Sequence, residues 1–282
     1  MSSNAPGPGP EGGAEGEVGQ TPADAADDVP RPPEVVRRLA LLWDPPQPSG
    51  RGRKARLTLE DVVGAGTAIA DADGLDTLSM RRVAAHLGVG AMSLYTYVPG
   101  RAELQDLMID RAFAELALPP ADAAWREGLA AYARAHWGLF QRHPWILQTN
   151  MWRLPLTPSV LDAQECGLRT LVDTGLTERQ VVEILGLVDA FVRGLARSTV
   201  AEAAEKDASG QSNDEYWTSM SSFWADWFDP ERYPTMLRIW QAGGFDAEAT
   251  PFEASLDRLL DSVGMAIDRA HRTFPPDGTP LR

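Results

Sequence analysis

The chain has little that would anchor, cross-link or catalyse. It carries one cysteine, Cys166, so no intrachain disulfide can form. No apolar run approaches the roughly 18 residues of a membrane span, and no signal-peptide core is present. A soluble, cytoplasmic protein without a membrane partner is expected. The four histidines, His86, His136, His143 and His271, show neither HxxxH nor HExxH spacing, and no CxxC occurs, so a metal site has no support. Nucleophile-elbow, Walker-type and dinucleotide glycine patterns are also missing, and no strand is evident. Charged pairs such as Glu165 and Arg169 fit ordinary helix-surface pairing. A small helical enzyme is therefore disfavoured, and no cofactor is expected.

Positive charge is also scarce, with a formal net charge of -14. That balance argues against nucleic acid only if it is uniform, and it is not. Residues 1–50 hold eight acids and three bases, residues 51–116 nine acids and eight bases, and the remainder twenty-three acids and fifteen bases. The middle segment is nearly neutral and opens on an acid-free basic cluster, Arg51, Arg53, Lys54 and Arg56.

What is present is helical periodicity. Residues 1–32 form a Gly, Pro, Ala and acid-rich leader, too poor in large apolar side chains to offset the entropy of ordering. Residues 33–56 comprise a short docking helix, with Val35, Val36, Leu39, Leu42 and Trp43 at helical spacing, and a Pro/Gly/Arg arm. From Thr58 onward the apolar period is near 3.6, which predicts an all-α fold. Helices are expected over 58–73, 80–87, 90–97 and 101–116, then 122–142, 144–150, 157–174, 177–205, 213–228, 230–241 and 251–273. The run 181–195 is apolar on most sides, as a helix buried against its own core and a second surface requires. A small domain over 57–116, a larger helical one over 117–274 and a flexible tail over 275–282 follow. No repeat of solenoid length is visible.

The segment LSMRRVAAHLGVGAMSLYTYVPGRAEL has the layout of a helix-turn-helix, two short helices joined by a glycine-containing turn. Val83, Leu87, Val89 and Leu94 supply its core. The second helix then exposes Ala91, Met92, Ser93, Tyr95, Thr96 and Tyr97. Such an uncharged face suits a major-groove reader, because Met and Tyr meet thymine methyls while hydroxyls bond phosphates.

On these residues the run 57–116 resembles the DNA-binding domain of the tetracycline-repressor (TetR) family, including Leu94-Tyr95-x-Tyr97-Val98 and the Pro99-Gly100-Arg101 start of the next helix. The resemblance implies a homodimer on a palindromic double-stranded operator, released when a small-molecule effector enters the helical body. It places Arg81 and Tyr95 at bases with Ala91 and Met92 beside them, and Ser93, Tyr97 and Arg101 at phosphates. Ser79, Met80 and Thr96 complete the expected DNA-facing set. Ala91 stands where family members often carry a polar residue. Arg53 and Lys54 of the basic arm are candidates for the backbone or minor groove.

More loosely, residues 120–272 resemble the family's C-terminal domain. That similarity implies a four-helix dimer interface from 177–205 and 251–273, and a pocket among 122–142, 157–174 and 177–205. Tyr132, His136, Trp152, Arg153 and Phe191 are the expected lining, with Trp217 and Trp224 as lids from the same chain or the partner. Repression rather than activation follows from the family analogy. Plainer readings stand beside these: Tyr95, Tyr97, Arg81 and the basic arm as solvated surface, His136 as a satisfied core histidine, and the tryptophans as filler. A DNA-binding dimer without a small-molecule ligand fits the same sequence.

Overall fold

The computed structural model describes residues 32–45, 57–150, 155–245 and 251–273. Residues 1–38 and 39–282 form two units, and helix α1 (Pro33–Trp43) runs through the boundary. In the second unit Leu42 is buried and the Trp43 indole donates to Leu156 O at 2.8 Å.

Helix α2 (Leu59–Asp73) starts where a capping box demands it: the Thr58 side chain accepts from the Asp61 amide, and Asp61 accepts from the Thr58 amide. Its apolar stripe buries Val62, Val63, Ile69 and Ala70. A 3-10 turn (Leu75–Thr77) leads to α3 (Met80–Leu87), which Ser79 caps by accepting from the Arg82 amide. Gly88 ends α3 at φ 67°, a left-handed conformation that β-carbon-bearing residues rarely adopt. The chain then turns into α4 (Ala91–Leu94). This helix is shorter than the expected 90–97, because Gly90 offers no side-chain cap and Pro99 forbids helical continuation. Helix α5 (Arg101–Phe113) packs across α2, closest at Gly66, where a β-carbon would meet Met108 Sδ at 2.9 Å.

The larger helices follow as α6 (Trp125–Arg142), a 3-10 turn (Pro144–Gln148), α7 (Pro158–Val172) and α8 (Glu178–Ser209). The Asp110 carboxylate on α5 accepts from the Ser159 amide at the start of α7, an anion at a helix N-terminus. Instead of one helix over 213–228, two short ones form, α9 (Asn213–Ser219) and α10 (Ser221–Asp226). The Ser219 hydroxyl bonds back to Tyr216 O and competes with the helix there. The next helix, expected from 230, starts later as α11 (Pro234–Gln241), because Asp229 accepts from the amides of Glu231 and Arg232 and holds a turn. Helix α12 (Pro251–Thr273) has the expected span. Among the described residues there is no strand, and no helix is long and apolar enough to cross a membrane.

Candidate functional site

The surface around α4 is built from its buried side outward. Val83, Leu94 and Val98 are fully buried, which fixes α4 against α3 and leaves the rest of its circumference free. Met92 is 79% exposed, and Ser93, Tyr95 and Thr96 are exposed beside it. Ala91 and Tyr97 are half-buried against the core, so Tyr97 offers an edge rather than a face. Arg81 projects from α3 into solvent, whereas its neighbour Arg82 is paired with Asp73. Arg101 gives one guanidinium nitrogen to Leu75 O at 3.0 Å, clamping α5 to the turn before α3.

One expected contact is corrected. Met80 is 8% exposed and packs in the core, so its side chain cannot reach DNA. The helical period explains this, since Met80 shares the inward face with Val83 and Ala84. Ser79 presents its hydroxyl at the surface while capping α3. Arg53 and Lys54 lie outside the described residues.

Thirty or so residues further along, a cavity opens among α5, α6, α7 and α8. Phe113, Tyr132, His136, Phe140, Val160, Ala163, Gln164, Asp189, Val192 and Arg193 enclose about 30 Å³, room for a water molecule or two. Tyr132 and His136, both expected there, lie with ring centroids 4.1 Å apart. His136 Nδ1 donates to Tyr132 O at 2.9 Å, which leaves Nε2 as an acceptor, and burial pushes the ring's pKa down to about 4. The Tyr132 hydroxyl donates to Asp189 Oδ1 at 3.0 Å. Burial, and then the Asp189 charge, raises that hydroxyl far above its ordinary range. Burial also pushes the Asp189 carboxyl up to about 6, against the opposing pull of Tyr132 and Arg193.

Phe191 does not join this cavity. It stacks toward Phe252 of α12, which itself stacks on Trp137 with centroids 4.4 Å apart. Phe191 lies two positions beyond Asp189, about 200° around a helix, so the two must face different neighbours. Trp217 and Trp224 do not line the cavity within one chain either. They belong to an aromatic cluster of α9–α11, where Trp224, Phe228, Met236, Trp240 and Phe245 share an apolar hollow of about 180 Å³. Trp152 and Arg153 lie outside the described residues.

The sequence model described as "Tetracyclin repressor-like, C-terminal domain" matches residues 118–266, more than half of the chain. The chain belongs to the tetracycline-repressor family of transcriptional regulators. Among its relatives, the HTH-type transcriptional repressor DrrR1 of Streptomyces coeruleorubidus is 38% identical over 257 residues, covering 90% of this chain and 93% of the relative. The solved structure of apo ActR from Streptomyces coelicolor superposes with a TM-score of 0.64 at 25% identity, covering 77% of this chain and all of ActR. ActR in complex with actinorhodin superposes with the same score and identity, covering 75% and 97%.

In this TetR-family chain, sequence reasoning missed Phe113, Phe140, Asp189 and Arg193 as cavity residues. The last two had a legible signal: an acid and a base four residues apart inside the apolar run 181–195. A charge in such a run needs a partner or a ligand. Phe113 and Phe140 gave none, since aromatic residues at helical spacing look the same in a core as in a cavity.

Proposed function

We propose that this protein is a homodimeric repressor that binds a palindromic operator through α3 and α4 and releases it when a small hydrophobic or aromatic effector enters the α5–α8 cavity. The observation that carries this reading is the course of α5. One end, at Arg101, is clamped beside the α3 turn; the other, Phe113, lines the cavity. A drug-sized effector needs roughly 300–1,000 Å³, so its arrival must widen the cavity and displace Phe113 with α5. Residues 57–116 then act as the DNA-binding part and 117–274 as the sensing and dimerising part. Dimerisation is supported by the outer face of α8, where Val182 and Leu187 are exposed, and by exposed Met265 on α12. Beside Leu187, Gly186 and Gly194 have open space above them.

Fluorescence anisotropy of the full-length protein on DNA fragments flanking its own gene, at two salt concentrations, tests the first half. Saturable, salt-sensitive binding that an Arg81→Ala, Tyr95→Ala double variant loses is expected. Failure to bind any fragment of a genome-wide pool would overturn it. A panel of aromatic compounds added to the complex tests the second half. The small cavity favours one other reading, a DNA-binding dimer without a small-molecule ligand, which operator release by no member of the panel would support.

A further inference from the structure

One nitrogen of a cation in the cavity wall has no partner. Arg193 Nη1 is buried and has no hydrogen-bond partner. Native proteins rarely leave a buried donor unsatisfied, and a charged one least of all. The guanidinium lies over the Phe140 ring, 5.3 Å from its centroid, so an aromatic wall backs one of its faces.

One acid and one further base stand near it. From α8, Asp189 opposes it and Arg197 adds to it, while Arg197 is itself held by Leu147 O at 2.8 Å. From α6, His136 and Tyr132 are neutral at ordinary pH, and from α7 burial raises the Cys166 thiol, keeping it neutral as well. Arg193 therefore has one carboxylate as its counter-charge, and that carboxylate already accepts the Tyr132 hydroxyl. The walls are rings: Phe113, Tyr132 and Phe140 each lie against the His136 ring, at centroid distances from 4.1 to 6.4 Å.

We infer that the effector is an aromatic acid, a ring-bearing molecule whose ionised carboxylate is received by Arg193 while its ring enters the Phe113–Tyr132–Phe140 wall. This rests on the reading of the cavity as the effector site and specifies its chemistry. A planar guanidinium matches a carboxylate in shape as well as charge. A neutral aromatic amide of equal size offers one uncharged acceptor oxygen and so forms neither the ion pair nor the two-oxygen contact. Arg193 thus selects by charge, and the rings select by shape.

Isothermal titration of the full-length protein with 2-naphthoate and with 2-naphthamide, matched in shape and different in charge, tests this. Wild type is expected to bind the acid at least about tenfold more tightly than the amide, equivalent to about 1.4 kcal/mol. Arg193→Met should bring the two within about twofold without weakening the amide, and Arg193→Lys should keep part of the preference. Should the methionine variant fail to fold, Arg193→Gln and the wild-type ratio carry the same test. Equal binding of acid and amide by wild type, a preference that survives loss of the guanidinium, or no binding of either compound would each overturn the inference. The operator complex separates this from the broader proposal. Acid binding through Arg193 without DNA release removes the effector role and keeps the acid site. Equal release by acid and amide does the reverse.

Discussion

His143 Nδ1 lies 2.7 Å from Asp71 Oδ1, joining the residue that ends α6 to the last turn of α2. The same carboxylate oxygen accepts from the Trp145 indole at 2.7 Å, and His143 Nε2 reaches Glu115 Oε2 at 3.2 Å. His143 and Trp145 are buried while Asp71 and Glu115 are exposed, so this junction between α2, α5 and the larger helices ties two buried donors to carboxylates at the surface.

Asp71, which bonds two buried side chains, should therefore matter more than nearby Asp73. Asp71→Ala leaves two buried donors without their acceptor and is expected to cost about 1–3 kcal/mol. Asp73→Ala breaks only the exposed pair with Arg82 and should cost less than about 1 kcal/mol. Urea denaturation of both variants measures the difference, and equal losses would show that the junction is no stronger than a surface pair.

Two methionines of α3 and α4 should separate stability from DNA affinity. Met80→Ala empties a core position and is expected to lower stability by about 2–5 kcal/mol. Met92→Ala should leave the melting temperature unchanged and weaken operator binding several-fold. Thermal unfolding and anisotropy on the same two proteins check this; a Met92→Ala variant with full affinity would take that side chain out of the interface.

Asp189 makes stability depend on pH. Its folded-state pKa, about 6, lies above the ordinary 3.8, so the native state holds the proton more tightly. Its favourable contribution is complete below about pH 4 and is lost as pH rises through about 6. Asp189→Asn resembles the protonated form and should be more stable than wild type at neutral pH, by at most about 3 kcal/mol. The advantage should vanish near pH 4. His136 works in the opposite direction, but it is present in both proteins and cancels in their difference. Urea titrations across that pH range provide the measurement, and a constant gap would contradict the prediction.

The outer face of α8 can be tested by charge. Leu187 is 62% exposed in the single chain. Leu187→Asp should halve the sedimenting mass at micromolar concentration and abolish operator binding while leaving helicity intact. A variant that still sediments as wild type would move the dimer interface elsewhere.

Much of the fold was legible in the sequence because its signals are local. The capping residues Thr58 and Ser79, the left-handed Gly88 and the 3.6-residue apolar period of α12 act over one or two turns, and each element begins or ends where they indicate. The break at Ser219 and the turn at Asp229 were not legible, because weak side-chain bonds compete there with a periodicity that continues through them. Within the candidate sites, exposure of Met92 and Tyr95 followed from the motif. Burial of Met80 could also have been read from its spacing to Val83. The lining of the cavity could not, since which flank of α8 faces α6 is decided by tertiary packing, and Phe191 and Asp189 differ only by that choice.

The close seat of α2 on α5 at Gly66 has a mechanical consequence. With no side chain of its own between the two helices and Met108 and Leu104 filling the space beyond, there is little slack for one to slide on the other. Arg101 adds a tie at the far end. A tilt begun at Phe113 is therefore not absorbed on the way. In the proposed mechanism it would pass from α5 to α2 as the movement of one rigid pair.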